Sequence, residues 1–330
     1  MPAVSVLVPC YNVERFIRPC MDSIVNQTLT DMEIICLNDG STDGTLAILQ
    51  EYAARDSRIR IIDKPNSGYG DSMNKGLEAA TGEYIGIVES DDIAQPEMFE
   101  EMLRHARATG ADMVKCAYER YWSSPERREL QPMPEQFAER LITPQEAADL
   151  TQFPIAIWAA LYRRAMLKER EIRFTTTPGA SYQDTAFNFK AWVSARSVYV
   201  TGKPLYLYRQ DNMDSSVKSR GKIFCVAHEY RSIERFLQRW GLEEEWGAAK
   251  DKAKYRGYRW NFKRLDWAGR KRFLPLMRKE YGDILKKGNP MLDRREWRRL
   301  KAALGNPSWY LFMMQYRDWM WKLRTIVRGK

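Results

Sequence analysis

The sequence has few histidines and cysteines, the residues that build zinc sites and disulfide frameworks, and it lacks long apolar runs. It has two histidines, His105 and His228, and five cysteines, no two of which form a Cys-x-x-Cys pair. A zinc site is therefore not expected, and the cysteines are interpreted as small buried side chains in a reducing cytosol. No apolar run approaches the roughly 20 residues that span a bilayer. The N-terminal segment has no basic region, so a signal peptide is not expected.

The glycine-rich loop of dinucleotide-binding proteins is also absent. Residues 4–8, V-S-V-L-V, predict a buried strand, but P-C-Y-N follows them in place of G-x-G-x-x-G. Asn12 can cap a helix over residues 13–27. Further strands are predicted at 32–37, 59–62, 84–88 and 112–117, with helices at 45–55, 72–80 and 98–109. This alternation predicts an α/β fold with a mostly parallel sheet.

Acidic side chains gather where the strand at 84–88 ends. Glu89, Asp91 and Asp92 lie next to one another around Ser90. Since like charges repel, this group favours a divalent cation; Mg²⁺ or Mn²⁺ binds carboxylate oxygens and shares its other positions with water and substrate phosphates. Asp39 follows the strand at 32–37 on the same predicted edge, where it suits a uracil N–H or a ribose hydroxyl. A solvated acidic loop is the alternative interpretation.

Charge is divided unevenly along the chain. Residues 1–150 hold 14 Lys and Arg against 26 Asp and Glu, whereas residues 151–330 hold 39 against 17. The net charges are therefore −12 and +22. This asymmetry favours an acidic module joined to a basic one that meets a polyanion or an anionic membrane.

Five short segments carry a further pattern. They are P-C-Y-N (9–12), L-N-D-G-S-T-D-G-T (37–45), N-S-G-Y-G-D-S-M-N-K-G-L (66–77), A-T-G-E-Y-I-G-I-V-E-S-D-D (80–92) and Y-Q-D-T-A-F (182–187). In this order they resemble the family 2 glycosyltransferases, over residues 3–210. The resemblance implies the GT-A fold, with the Rossmann-like, mostly parallel sheet of nucleotide-diphospho-sugar transferases. It also implies inverting transfer of a sugar from a nucleotide-sugar, usually a UDP-sugar, with Mn²⁺ or Mg²⁺.

The resemblance also implies which residues bind the nucleotide-sugar. Glu89-Ser90-Asp91 corresponds to the D-x-D motif, with Asp91 as a metal ligand, Glu89 near the ribose or the metal, and Asp92 as a further candidate ligand. The other candidates are Pro9, Tyr11, Asn12, Glu14, Asp39, Asn66, Asn74, Arg209 and Ser216. Two positions depart from the family: Glu89 is one methylene longer than Asp, and Met73 stands in S-M-N where many relatives have an arginine in A-R-N.

Asp184 is the candidate catalytic base. It is the one acidic residue between Glu171 and Asp211, and it begins a segment with helical apolar spacing. From this pattern a helix N-cap and a base that deprotonates an acceptor hydroxyl are both possible. The family resemblance, which places its base in a dipeptide like Gln183-Asp184, favours the second.

Three further segments allow two interpretations each. Residues 123–134 form a polar, proline-containing stretch that can be a flap over the site or a solvated insertion. Trp158 can be a sugar-stacking wall or part of the core. Residues 198–209 predict two short strands around a Gly-Lys-Pro turn. At the end of this stretch and beyond it, Arg209, Ser215, Ser216 and Lys218 can contact the diphosphate or belong to a basic linker.

From residue 223 onward helical periodicity replaces the strand pattern. Residues 251–330 hold 23 Lys and Arg against 7 Asp and Glu. The last predicted helix has an aromatic face with Trp309, Phe312, Tyr316 and Trp319, and basic residues opposite. Such a helix is typical of a membrane interface, although packing against the catalytic domain or in a dimer is the alternative. RNA binding is not favoured, because the signatures of RRM, KH and zinc-knuckle modules are missing.

We therefore predict a GT-A domain at residues 1–210, divided into a nucleotide-binding half (1–97) and an acceptor half (98–210), and a helical, basic module at 211–330. The expected activity is glycosyl transfer to a glycan or lipid-linked acceptor in cell-surface polysaccharide synthesis. The expected location is the cytoplasmic face of a membrane, contacted through residues 306–330. A nucleotidyltransferase and a non-catalytic scaffold are the alternatives, and a homo-oligomer is possible.

Overall fold

The computed structural model describes residues 1–212 and 222–328, with only the backbone of residue 318 and of residues 321–328. The chain divides into two compact units. One comprises Met1–Ala148 and Gln152–Lys218, and the other comprises Asp149–Thr151 and Ser219–Lys330. Among the helices of the described residues, none combines the length and the hydropathy required for a bilayer span.

The first unit is a mixed α/β structure around a ten-stranded sheet, counted over the described residues. Its strands are β1 (Val4–Cys10), β2 (Met32–Asp39), β3 (Ile59–Lys64), β4 (Tyr84–Ile87), β5 (Ile93–Ala94), β6 (Met113–Ser123), β7 (Glu126–Gln131), β8 (Arg140–Ile142), β9 (Ala160–Arg163) and β10 (Val198–Arg209). Its helices are α1 (Ile17–Val25), α2 (Thr45–Ala53), α3 (Tyr69–Ala79), α4 (Met98–Thr109), α5 (Arg164–Glu169) and α6 (Gln183–Ser194).

The order of the strands brings the carboxyl ends of several strands to one edge of the sheet. The order is β3-β2-β1-β4-β9-β6-β10-β5, with β7 and β8 paired to β6 and β10. The four strands from β3 to β4 are parallel, while β9 runs antiparallel to β4 and β6. The apolar runs of β1, β2 and β4 are buried, as expected for strands covered on both faces. Their carboxyl ends carry Pro9, Asp39 and Glu89 to a common edge.

Several local predictions were wrong in their boundaries. The first helix begins at Ile17 rather than residue 13, and Asn12 is not its cap because its backbone is left-handed, with φ 51°. Residues 198–209 form one irregular strand with register shifts instead of two strands around a turn. The polar stretch 123–134 is largely a hairpin, since β7 pairs with β6.

The second unit is helical over its described residues. Its helices are α7 (Cys225–Trp240), α8 (Glu243–Arg264), α9 (Trp267–Lys287), α10 (Arg294–Leu304) and α11 (Pro307–Arg328). Tyr258 lies at the centre of this unit, where its ring packs against Tyr230 and Phe273. Asp293 and Glu296 form a capping box at the start of α10.

Candidate active site

The acidic turn after β4 is fastened to the end of β10. Asp92 is buried, and its two carboxylate oxygens accept hydrogen bonds from the Tyr206 hydroxyl at 2.9 Å and the Arg209 backbone N–H at 2.8 Å. Burial, and next the neighbouring Asp91, raise the pKa of Asp92 well above its ordinary value. Asp92 thus anchors the turn, with both carboxylate oxygens directed toward groups of β10.

Arg209 places a cation beside this turn. Its Nε donates to the Asp91 backbone carbonyl at 2.7 Å, and its guanidinium lies between the rings of Phe16 and Tyr121, at 5.4 and 5.2 Å from their centroids. Asp211 pairs with it at 3.4 Å. The buried Arg209 therefore holds the main chain of the acidic turn and partly offsets its negative charge.

Asp91 differs from Asp92 in its exposure. Its side chain is partly exposed, and one oxygen accepts a hydrogen bond from the Asn212 amide at 2.7 Å. Asn212 lies on the segment that follows β10, and nothing in the sequence pattern had singled it out. The second oxygen of Asp91 has no hydrogen bond within 3.5 Å among those of the described residues.

Glu89 connects the acidic turn to α3. Its carboxylate accepts a 2.7 Å hydrogen bond from the Tyr69 hydroxyl. Burial raises the pKa of Glu89 to about 8; repulsion by Asp91 and Asp184 acts in the same direction, and the Tyr69 bond opposes it. The repulsion identifies Asp91 and Asp184 as electrostatic neighbours of one carboxylate, although Asp184 comes from a distant part of the chain.

Asp184 is the second residue of α6 and not its N-cap. Tyr182 occupies the cap position, with φ 62°, and the Asp184 carboxylate accepts the Thr185 backbone N–H at 2.8 Å. Burial raises the pKa of Asp184 from 3.8 to about 6, against the effect of its hydrogen bonds to Thr185. The interpretation as a helix N-cap is therefore wrong.

The start of α3 is in close contact with the loop before α6, and this contact brings Asp184 toward Tyr69 and Glu89. The Tyr69 backbone N–H donates to the Gly179 carbonyl at 3.3 Å. A Cβ on Gly70 would come within 1.9 Å of the Thr175 carbonyl oxygen, so only glycine permits this approach. The Gln183 amide donates to the Thr177 hydroxyl at 2.9 Å and to the Gly179 carbonyl at 2.9 Å, and thereby orders the loop before α6.

Asp39 is buried at the end of β2 and is already surrounded by hydrogen-bond donors. It pairs with Lys64, and it accepts the backbone N–H groups of Ser67 and Gly68 at 2.9 Å each. A carboxylate has about four lone-pair sites, so at most one remains for a ligand. Asp39 consequently fixes the loop that leads into Tyr69.

The remaining predicted site residues lie in different surroundings. Pro9 and Ser90 are buried, Tyr11 is 52% exposed, and Asn66 is exposed. Asn12 and Glu14 hold the loop before α2, by accepting the N–H groups of Thr42 and Gly44. Ser216, with Ser215 and Lys218, lies outside the described residues.

Asn74 is a buried residue of α3. Its amide and carbonyl groups bond the backbone of Phe174 at 3.0 and 2.9 Å. This pair ties the 173–175 segment to α3. Trp158 is likewise enclosed, between the rings of Tyr206 and Tyr208 at 4.4 and 5.0 Å, as the interpretation of core packing predicts.

The acidic side chains near β4 provide only part of the ligand set that a divalent cation requires. Within residues 1–212 and 222–328 no group of three or more His, Cys, Asp or Glu side chains is arranged to enclose a metal ion. Asp91, however, is a partly exposed carboxylate within an acidic group. One or two carboxylates are what Mg²⁺ uses when substrate phosphates and water fill its other positions. The side chains thus fit an ion that is bound together with a diphosphate.

Comparison with known proteins identifies the family of the chain. The family model described as glycosyl transferase family 2 matches residues 5–170. The uncharacterized glycosyltransferase EpsJ of Bacillus subtilis is 37% identical over 260 residues, which are 76% of this chain and 73% of that protein. Chondroitin synthase of Escherichia coli is 42% identical over 107 residues, 32% of this chain and 16% of that protein.

The fold is also similar to that of a solved structure. S. aureus TarS 1-349 in complex with UDP-GlcNAc superposes with a TM-score of 0.58 and 19% sequence identity, over 82% of this chain and 83% of that one. This likeness concerns the fold, which is GT-A with a helical C-terminal region. With the matched family model and the similarity to EpsJ, it follows that the chain is a glycosyltransferase and belongs to family 2.

Proposed function

We propose that this enzyme transfers a sugar from a UDP-sugar to a hydroxyl group of a glycan or lipid-linked acceptor, with inversion at the anomeric carbon. The observation that carries the proposal is the electrostatic grouping of Glu89, Asp91 and Asp184. Two of these acids follow β4 and the third lies in the first turn of α6. The Tyr69 hydroxyl bonds Glu89 and the Tyr69 backbone N–H bonds the loop before α6, which supports a shared site. A direct displacement requires a carboxylate at the acceptor and a separate site for the departing diphosphate.

Asp184 is proposed as the general base. Its carboxylate would accept the proton of the acceptor hydroxyl as the oxygen attacks the anomeric carbon and the bond to the diphosphate breaks on the opposite face. A pKa of about 6 supports this role, because the group is mostly ionised at neutral pH and is still more basic than an ordinary Asp. The Thr185 N–H orients the carboxylate.

Asp91 is proposed as the protein ligand of Mn²⁺ or Mg²⁺. A divalent cation bound there would neutralise charge on the departing nucleoside diphosphate. Glu89 would lie beside the ribose or the hydrated ion, held by Tyr69. Asp92 is not included in this ligand set, since both of its oxygens bond groups of β10. Arg209 would support the turn through the Asp91 backbone.

The nucleoside is proposed to lie over the carboxyl ends of β1 and β2. The exposed Tyr11 ring offers a stacking surface there, and Asp39 retains room for one ligand hydroxyl or N–H. Pro9, Ser90 and Asn66 complete this part of the proposal. Asn12 and Glu14 would act by shaping the loop, and Asn74 is left out because its amide bonds the backbone of Phe174.

We also propose that the enzyme acts in cell-surface polysaccharide synthesis at the cytoplasmic face of a membrane, and that residues 306–330 contact this membrane. The net charge of +22 in residues 151–330 supports attraction to anionic lipid. The similarity of 107 residues to chondroitin synthase supports a glycan product.

The test is product release from a panel of nucleotide-sugars. The purified full chain would be incubated with Mn²⁺ and each nucleotide-sugar, with and without candidate acceptors, and the released nucleoside diphosphate and pyrophosphate would be measured. UDP release from at least one UDP-sugar supports the proposal. Release from GDP- or TDP-sugars only, or formation of pyrophosphate in place of UDP, would overturn it.

A further inference from the structure

We propose that one exposed face of α11 is the surface that enters an anionic phospholipid membrane. The face comprises Trp309, Phe312, Met313, Tyr316 and Trp319, and is called the aromatic ridge. This inference deepens the membrane part of the proposed function by assigning the contact to particular side chains. It does not depend on the roles of Asp91 or Asp184.

The ridge is a continuous row of rings on the surface. The exposed fractions are 62% for Trp309, 54% for Phe312, 43% for Met313, 48% for Tyr316 and 55% for Trp319. Successive ring centroids lie 5.7, 6.4 and 6.1 Å apart from Trp309 to Trp319. Single exposed apolar residues are common on soluble proteins, but a row of this kind marks a binding surface.

The opposite side of α11 is fixed to the second unit. Leu311 and Met314 are each 7% exposed, and the Tyr310 ring packs on Phe262 at 5.6 Å. Arg278 of α9 donates to the carbonyls of Ala303 and Gly305, just before α11 begins. The helix therefore packs against its own unit through one stripe and presents a different stripe to the surroundings.

The charge around the ridge identifies the partner. Residues 251–330 hold 23 Lys and Arg against 7 Asp and Glu, and the exposed Arg317 directly follows Tyr316 in α11. An anionic lipid surface supplies phosphate groups for such cations and an interface where Trp and Tyr rings are stable. A second copy of the chain would bring the same positive surface against itself, and like charges across an interface oppose binding.

Vesicle flotation tests this assignment with point variants of the full chain. The ridge variant is Trp309→Ser, Phe312→Ser and Trp319→Ser. Its control is Leu130→Ser, Leu141→Ser and Ile155→Ser, three exposed apolar residues of the first unit. The wild type and the control should bind vesicles of phosphatidylcholine with phosphatidylserine more strongly than they bind vesicles of pure phosphatidylcholine. The ridge variant should bind the anionic vesicles at least about tenfold more weakly.

Three results would overturn the inference. The first is equal flotation of the ridge variant and the wild type, and the second is failure of the wild type to bind anionic vesicles. The third is a wild-type dimer without lipid, seen by sedimentation velocity, together with a monomeric ridge variant, since a second copy would then cover the ridge. Because the ridge variant keeps Asp91 and Asp184, its UDP release without vesicles should equal that of the wild type, which separates this failure from failure of the catalytic proposal.

Discussion

The Tyr69 hydroxyl donates a 2.7 Å hydrogen bond to the Glu89 carboxylate. Tyr69 is the first residue of α3, Glu89 follows β4, and Asp184 interacts electrostatically with both. The backbone N–H of Tyr69 is bonded to the loop that leads into α6. One residue thus links the acidic turn to the candidate base.

Replacing Asp184 by Asn should reduce sugar transfer by about 10²- to 10⁴-fold, the usual contribution of a general base. Asn keeps the shape of the side chain and can still accept the Thr185 N–H, so UDP affinity should stay at the wild-type value. Steady-state UDP release and calorimetry of UDP binding measure the two quantities. Asp31→Asn, at an exposed acid beside β2, is the matched control. Wild-type turnover by Asp184→Asn would exclude this residue as the base.

Ionisation of Asp184 should lower the free energy of unfolding and raise the rate of sugar transfer. The pKa of Asp184 is raised from 3.8 to about 6 on folding, so between these values the folded chain binds more protons than the unfolded one. Its contribution to the free energy of unfolding is therefore present below pH 3.8 and is lost as pH rises through about 6. Transfer, which requires the ionised form, should fall as pH drops below about 6.

The Asp184→Asn variant isolates this effect. Because Asp184 is partly exposed, screening reduces its energetic effect to of order 1 kcal/mol. Denaturant unfolding should show the variant to be more stable than the wild type at pH 7–8, with the difference disappearing toward pH 4. A difference that does not change with pH would mean that the pKa is not raised.

The edge of the sheet that carries the candidate site could be predicted from the sequence. Short apolar runs that alternate with helices are compatible with only a few sheet topologies. Pro9, Asp39 and Glu89 lie at or just after the carboxyl ends of their strands, so the correct strand order places them at one edge of the sheet. Hairpin strand β7 was not predicted, because most of its side chains are exposed. The alternation of apolar and polar residues that reveals a strand arises only where one face of the strand is buried.

Contacts between distant segments could not be predicted in the same way. Local spacing carries no information on Asn212 meeting Asp91, or on Tyr206 binding Asp92. Asn74 lies in a family motif, but the structure pairs its amide with the backbone of Phe174, one hundred residues later. Motifs identify the residue types of the site, whereas the loops that meet in three dimensions decide which side chains remain available.

Replacing Asp91 by Ala should abolish the dependence of UDP binding on divalent cation. Calorimetry with Mn²⁺ should show at least about tenfold weaker UDP binding by the variant, because the ion loses its proposed carboxylate ligand. With chelator and no metal, the two proteins should bind UDP equally. Asp31→Ala is the control, and it should retain the Mn²⁺ effect. Wild-type Mn²⁺ dependence in Asp91→Ala would exclude Asp91 as the ligand.

Two Gly→Ala substitutions should change stability in opposite directions. At Gly70 the added Cβ would meet the Thr175 carbonyl oxygen at 1.9 Å, so the two loops must separate, at a cost of about 1–3 kcal/mol. At Gly247, inside α8, the Cβ has nothing within 4 Å, and better helix propensity should stabilise the protein by about 1 kcal/mol. Denaturant unfolding followed by circular dichroism measures both changes.

Measurements of transfer activity show whether a glycine substitution disturbs the candidate site or only changes the stability of the protein. The Gly70 contact holds the loop before Asp184 against the helix that carries Tyr69, so Gly70→Ala should lose transfer even at temperatures where it remains folded. Gly247→Ala should keep full transfer. If Gly70→Ala is folded and fully active, the approach of these loops does not position the base, and Asp184 must be held by its own helix.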